Sequence, residues 1–168
     1  GIHQHRGNRS YLPMMAFGLA SVLVLAVSLI AWRKDPGRFA SAAGVALMLL
    51  FSWWASNALI GLYGVPDGVR AFPIIDLIGL SIMAACWAMR PKVWKAVVGL
   101  GFAACLCAHW AFWMQPTTLA FARYSAILDW LFACQLATAA FPGGGYVLDR
   151  VISHLLDRRG FRAGLGAR

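Results

Sequence analysis

Four side chains able to hold a cation or carry a proton stand inside otherwise apolar stretches of this chain: Asn57, Asp76, His109 and Asp129. Asp76 lies in "FPIIDLIGL" (72–80), four residues into what reads as the start of a membrane-spanning helix. A carboxylate within a span costs about 2.5–3.5 kcal/mol at the bilayer centre and less near a helix end. Two of them need pairing, water or a function to offset that cost. The expected roles follow from residue type: Asp76 and Asp129 as charged partners of a ligand, His109 as proton carrier or ligand, and Asn57 as an orienting donor.

The elements that position these groups follow from composition. Of 168 residues, 61% are hydrophobic and only 12% charged, against roughly 25% charged in a soluble domain. Apolar runs are predicted to form five helices at about 11–32, 39–62, 72–89, 93–114 and 124–141. Each is long enough to cross a hydrocarbon core of about 30 Å at about 1.5 Å per residue. Continuous rather than alternating apolarity selects helices over a barrel. The breaks are "RKDPGR", "YGVPDG", "RPK", "QPTT" and "PGGG", all charge or turn signals. The fold class is therefore all-α, a polytopic membrane helix bundle.

After the "PGGG" break, residues 146–159 place Val147, Leu148, Val151, Ile152, Leu155 and Leu156 on one stripe. That pattern predicts a short amphipathic helix in the membrane interface or docked on a partner protein. Residues 1–10 form an N-terminal tail and 160–168 a basic C-terminal tail. The sequence opens with Gly1, so Met14 or Met15 remains an alternative natural start. The first apolar run exceeds a signal-peptide core and is not followed by a small-residue cleavage site, so it is read as a retained span.

Basic residues orient the spans. Arg33, Lys34, Arg38, Arg90, Lys92, Lys95, Arg150, Arg158, Arg159, Arg162 and Arg168 fall on one side, eleven in all. Arg6, Arg9, Arg70 and Arg123, four residues, fall on the other. The positive-inside rule puts the first side in the cytoplasm, with the N-terminus outside. Arginine-rich, Ala- and Gly-rich composition suggests a bacterium or its phage, hence an inner (plasma) membrane. The net charge of +9 suits anionic lipid headgroups better than nucleic acid, because the cations flank apolar runs.

With this orientation the four polar groups share one layer, about 6–9 Å below the outer boundary by helical rise. Gly101, Cys105 and His109 share a face, as do Ser125, Asp129, Ala133 and Ala137. Such small-residue stripes mark helix–helix contacts. A plainer alternative is a self-satisfied hydrogen-bond layer, with each Asp near a positive helix end and Arg70 or Arg123 reaching back to it. A metal site of Asp76, His109 and Asp129 has usable donors but no supporting spacing. "CLCAH" (105–109) cannot hold an ion through both cysteines, which lie about 200° apart on a helix. His109 is the only histidine within a span, which excludes bis-histidine haem in one subunit. No cofactor and no metal is expected.

Eight tryptophans fall largely near the two boundaries, an aromatic-belt pattern. Trp54 and Trp130 are the expected walls beside Asn57 and Asp129. Span count, length and tryptophan content are similar to the tryptophan-rich sensory protein family. Its Pro-Trp-Phe run and Asn-Trp motifs are not found here, and no family is assigned.

The expected function is an outward-facing intramembrane site that binds or transports a small polar or cationic species, or relays protons. The alternatives are a non-catalytic accessory subunit of a larger membrane complex, or a phage-type, holin-like permeabilising protein. Partner membrane subunits or a homo-oligomer fit the accessory reading. The chain has no H-E-x-x-H, G-x-S-x-G or phosphate-binding Gly loop, which leans against an enzyme.

Overall fold

A computed structural model describes residues 11–64, 67–114 and 118–158. The described residues are helical: α1 Tyr11–Lys34, α2 Pro36–Tyr63, a 3-10 turn Gly68–Ala71, α3 Phe72–Met89, α4 Val93–Met114 and α5 Thr118–Arg158. Five helices are long and apolar enough to cross a membrane. The two expected terminal tails, 1–10 and 160–168, lie outside the described residues.

The helix ends have local causes. Asp35 alone separates α1 from α2: its N–H bonds Ala31 O at 3.0 Å, and its Oδ1 accepts Arg38 N–H at 3.1 Å. With Pro36 in the first turn, this is an N-cap followed by the residue best suited to open a helix. At the other end of α3, Lys95 of α4 turns back and donates from Nζ to Cys86 O at 3.0 Å and Arg90 O at 3.1 Å. A cation satisfying the last carbonyls of a helix also complements its dipole. Lys95 is only 3% exposed, so its charge serves α3 rather than the connector surface. Lys95→Met is expected to cost about 2 kcal/mol, the scale of a charged hydrogen bond left unmade. Unfolding in a mixed-detergent titration measures it.

The connectors between α1 and α2 and between α3 and α4 lie at the same end of the bundle, because Arg90 Nη1 donates to Gly37 O at 3.0 Å. The Tyr146 ring packs on Phe39, centroids 5.2 Å apart, and brings the later part of α5 to that basic end.

One difference from expectation is large. The fifth span does not stop at Phe141: α5 runs unbroken for 41 residues through Pro142 and the three glycines. At about 1.5 Å per residue it is about 60 Å long, twice a hydrocarbon core. The reason lies in packing. A side chain at Gly143 would meet Ser28 of α1, whose Cα is 3.1 Å from the Cβ position. The "PGGG" glycine is thus a place where two helices approach closely, and that contact supports the helix beyond the proline. The fifth span and the amphipathic segment are one element.

In the bundle, α5 packs against α1, α4 and α2, and α3 packs against α4 and more lightly against α2. The central core is Val45, Leu49, Met83, Val98, Phe102, Leu136 and Ala139, from α2 through α5. Large apolar side chains such as Leu19, Leu47, Phe51, Ile78, Leu100 and Ile127 point outward. A surface of this kind suits lipid and not water.

Candidate functional site

α3 and α5 do not pack directly on one another. Both pack on α4, where one histidine hydrogen-bonds to each of them. His109 is 2% exposed; its Nε2 lies 2.7 Å from Asp76 Oδ2 and its Nδ1 2.7 Å from the Tyr124 hydroxyl. With the imidazole neutral, Nε2–H donates to the carboxylate and the tyrosine O–H donates to Nδ1. Both ring nitrogens are then satisfied, as a buried polar group requires. Phe72 approaches the imidazole edge-on at 6.2 Å. Phe112 stacks on Tyr124 at 4.6 Å. These rings hold the row in an apolar setting.

Asp76 therefore does not cap its own helix. The residue before α3, Ala71, makes no side-chain cap, and Asp76 reaches across to α4. Nor does Arg70 turn back to it, since Arg70 pairs with Asp67 at 3.2 Å on the exposed surface.

Beside the row lies a cavity of about 390 Å³, at the end away from the basic connectors. Asn57, Asp76 and Asp129 all line it, as do Tyr124 and Gln135. His109 stands behind Asp76 and Tyr124 and is not part of the wall. Asn57 has one amide proton committed: its Nδ2 donates to Trp53 O one turn earlier, at 2.7 Å. Its side-chain oxygen and second N–H remain for the cavity. Asp129 makes no hydrogen bond with any described residue. Among the described residues no lysine or arginine lines the cavity, and its acidic side chains are Asp76 and Asp129.

The walls differ from expectation as well. Trp54 is 60% and Trp130 75% exposed, and both face outward; Trp53 lines the cavity instead. The helical period explains it, because Trp53 is one turn from Asn57 and shares its face. Cys105 is buried at the cavity and Cys107 is exposed, on opposite faces as their spacing requires. Among the described residues no three His, Cys, Asp or Glu side chains gather to hold a metal ion.

Two residues absent from the sequence-based site belong to it. Tyr124 had served only as a span boundary, although a buried tyrosine hydroxyl calls for a partner. Gln135 sits deeper, with Nε2 donating to Val98 O at 3.3 Å. Gly101 of α4 admits it, for a Cβ there would lie 2.6 Å from Gln135 Cγ.

Comparison with known proteins finds no family, no curated protein and no solved structure that matches this chain. The functional reading therefore rests on the site's own chemistry.

Proposed function

We propose that the chain is a small inner-membrane protein, N-terminus outside and C-terminus cytoplasmic, that binds a cationic species in an outward-facing intramembrane cavity and passes it or a proton onward. One observation carries the proposal: Asp76 and Asp129, from different helices, line a single cavity with no basic side chain among the described residues of its wall. Low local dielectric makes such a pair attract a cation more strongly than it would in water. His109 is a positioning residue for Asp76, and Tyr124 holds His109. Because Asp76 and Tyr124 both line the cavity, the row also supplies a path for proton exchange with a bound ligand.

The test is binding of sodium, methylammonium and larger amines to the purified protein in lipid nanodiscs, with Asp76→Asn and Asp129→Asn alongside. Each substitution is expected to weaken cation binding about tenfold or more, the scale of a charged interaction of at least 1.4 kcal/mol. Wild-type affinity in both folded variants would overturn the reading.

One observation favours the accessory-subunit reading. Past Tyr146, α5 exposes Leu148, Val151, Ile152 and Leu155 on one stripe at the basic end. A helix that continues unbroken out of a span can offer that stripe to a partner as well as to lipid. Native purification in mild detergent separates the readings: a stoichiometric membrane partner supports the subunit role, and a lone monomer or homo-oligomer counts against it.

A further inference from the structure

The cavity is too roomy and too aromatic for a bare metal ion or a proton. Every helix contributes at least one ring to its wall: Phe17 from α1, Trp53 from α2, Phe72 from α3, Phe102 from α4, and Phe121 and Phe132 from α5. At about 390 Å³ it falls in the size class of small-molecule sites, roughly 300–1,000 Å³, which are mostly apolar with a few placed polar groups.

The strongest acceptors among those polar groups stand beside the hydroxyls of Ser52, Ser56 and Ser125. Asp76 and Asp129 supply carboxylates. Asn57 supplies an oxygen, one of its two amide protons being committed to Trp53 O. A primary ammonium has three N–H donors to match these three residues, and cation–π attraction to the rings adds to the ion pairing. Deeper in the cavity stands a fourth acceptor. Gln135 is 3% exposed; its Nε2 is used by Val98 O, while its Oε1 receives no hydrogen bond from any described residue. Gln135 lines the cavity, so a ligand hydroxyl or a water there can donate to this oxygen. It lies six positions past Asp129 on α5, about 9 Å further along the helix.

We infer that the ligand is a primary aralkylamine: an ammonium held at Asp76, Asp129 and Asn57, an aromatic body among the rings, and a distal hydroxyl donating to Gln135. This inference rests on the cation-site reading above and names its ligand class. Phenethylamine and tyramine share the arm and the ring, and tyramine adds the distal O–H. 2-Phenylethanol is the uncharged counterpart, and methylammonium is the head without the body.

Calorimetric titration of the four probes into nanodisc-embedded protein, against empty nanodiscs, tests the assignment. Phenethylamine is expected to bind at least tenfold more tightly than 2-phenylethanol and than methylammonium. Tyramine is expected to exceed phenethylamine by about threefold to tenfold, the scale of one net hydrogen bond. Gln135→Met is expected to bring that ratio to about one. Equal affinity for phenethylamine and 2-phenylethanol would overturn the inference, as would no tyramine preference in the wild type. Methylammonium binding as tightly as phenethylamine, with loss in Asp76→Asn, would overturn the aralkylamine assignment and leave the cation site standing. If no cation binds, both fail together. Three of these comparisons use only the wild-type protein, so a poorly folding variant does not affect them.

Discussion

His109→Leu is expected to lower the unfolding free energy by about 3 kcal/mol, the scale of breaking a buried ion pair or hydrogen-bonded network by removing one member. Three helices depend on this imidazole. Its two contacts, both 2.7 Å long, bring the Asp76 carboxylate of α3 and the Tyr124 hydroxyl of α5 to one residue of α4. Leucine fills most of the volume and returns neither hydrogen bond. Tyr124 then holds a buried hydroxyl without its acceptor, and Asp76 loses its donor beside an apolar wall. Tyr124→Phe removes only the second contact and is expected to cost about 1–2 kcal/mol. The two losses share a network, so the double variant is expected to be less destabilised than their sum. Reversible unfolding in detergent or bicelles reads all three. A His109→Leu protein as stable as the wild type would show that the row contributes nothing to holding α3 to α5.

Gly79→Leu is expected to be comparably damaging, at about 3 kcal/mol, the upper part of the overpacking range. A Cβ at this position would stand 2.5 Å, 2.7 Å and 2.8 Å from three atoms of the Phe102 ring. Phe102 is itself 2% exposed and packed in the core with Met83, Val98 and Leu136. The ring is held by Met83, Val98 and Leu136 on its core side and borders the cavity on the other, so relief of the clash pushes it into the cavity or separates α3 from α4. In an isolated helix, replacing glycine gains about 1 kcal/mol of propensity, which the clash outweighs. The prediction carries its own control. Phe102→Ala alone leaves a void, and Gly79→Leu combined with Phe102→Ala is expected to recover at least half of the loss by exchanging the large and small partners. Failure of the pair to compensate would place the damage in the backbone rather than in this contact.

The five spans are legible because bilayer physics writes them plainly: runs of about 18 or more apolar residues, separated by charge, proline and glycine. Their ends are less so. α5 begins at Thr118 rather than near Tyr124, and runs past "PGGG" to Arg158. Local signals at Pro142 and Gly143 say stop, and the close approach of Ser28 on α1 overrides them. Propensity is a weak prior where a tertiary contact competes with it. Lys95 was misjudged for a related reason. By position it belongs to a basic connector, yet the turn back of α4 carries its Nζ onto the carbonyls that end α3.

The candidate site divides along the same line. The sequence by itself determined that Asn57, Asp76, His109 and Asp129 are rare polar groups within apolar runs, and helical rise, which converts residue number into height, gave the expectation of one layer. It also determined that basic residues collect at the opposite end. Which groups touch was decided only by the tertiary structure. Rotation of each helix about its axis and the choice of neighbours set whether a side chain meets a partner, a cavity or lipid, and neither is encoded in residue counting. Hence Asp76 is bonded to His109, while Asp129 lines the cavity with no hydrogen bond to a described residue. Trp53 lines that cavity while Trp54 faces out, and Tyr124 and Gln135 complete a site that spacing along the chain does not reveal.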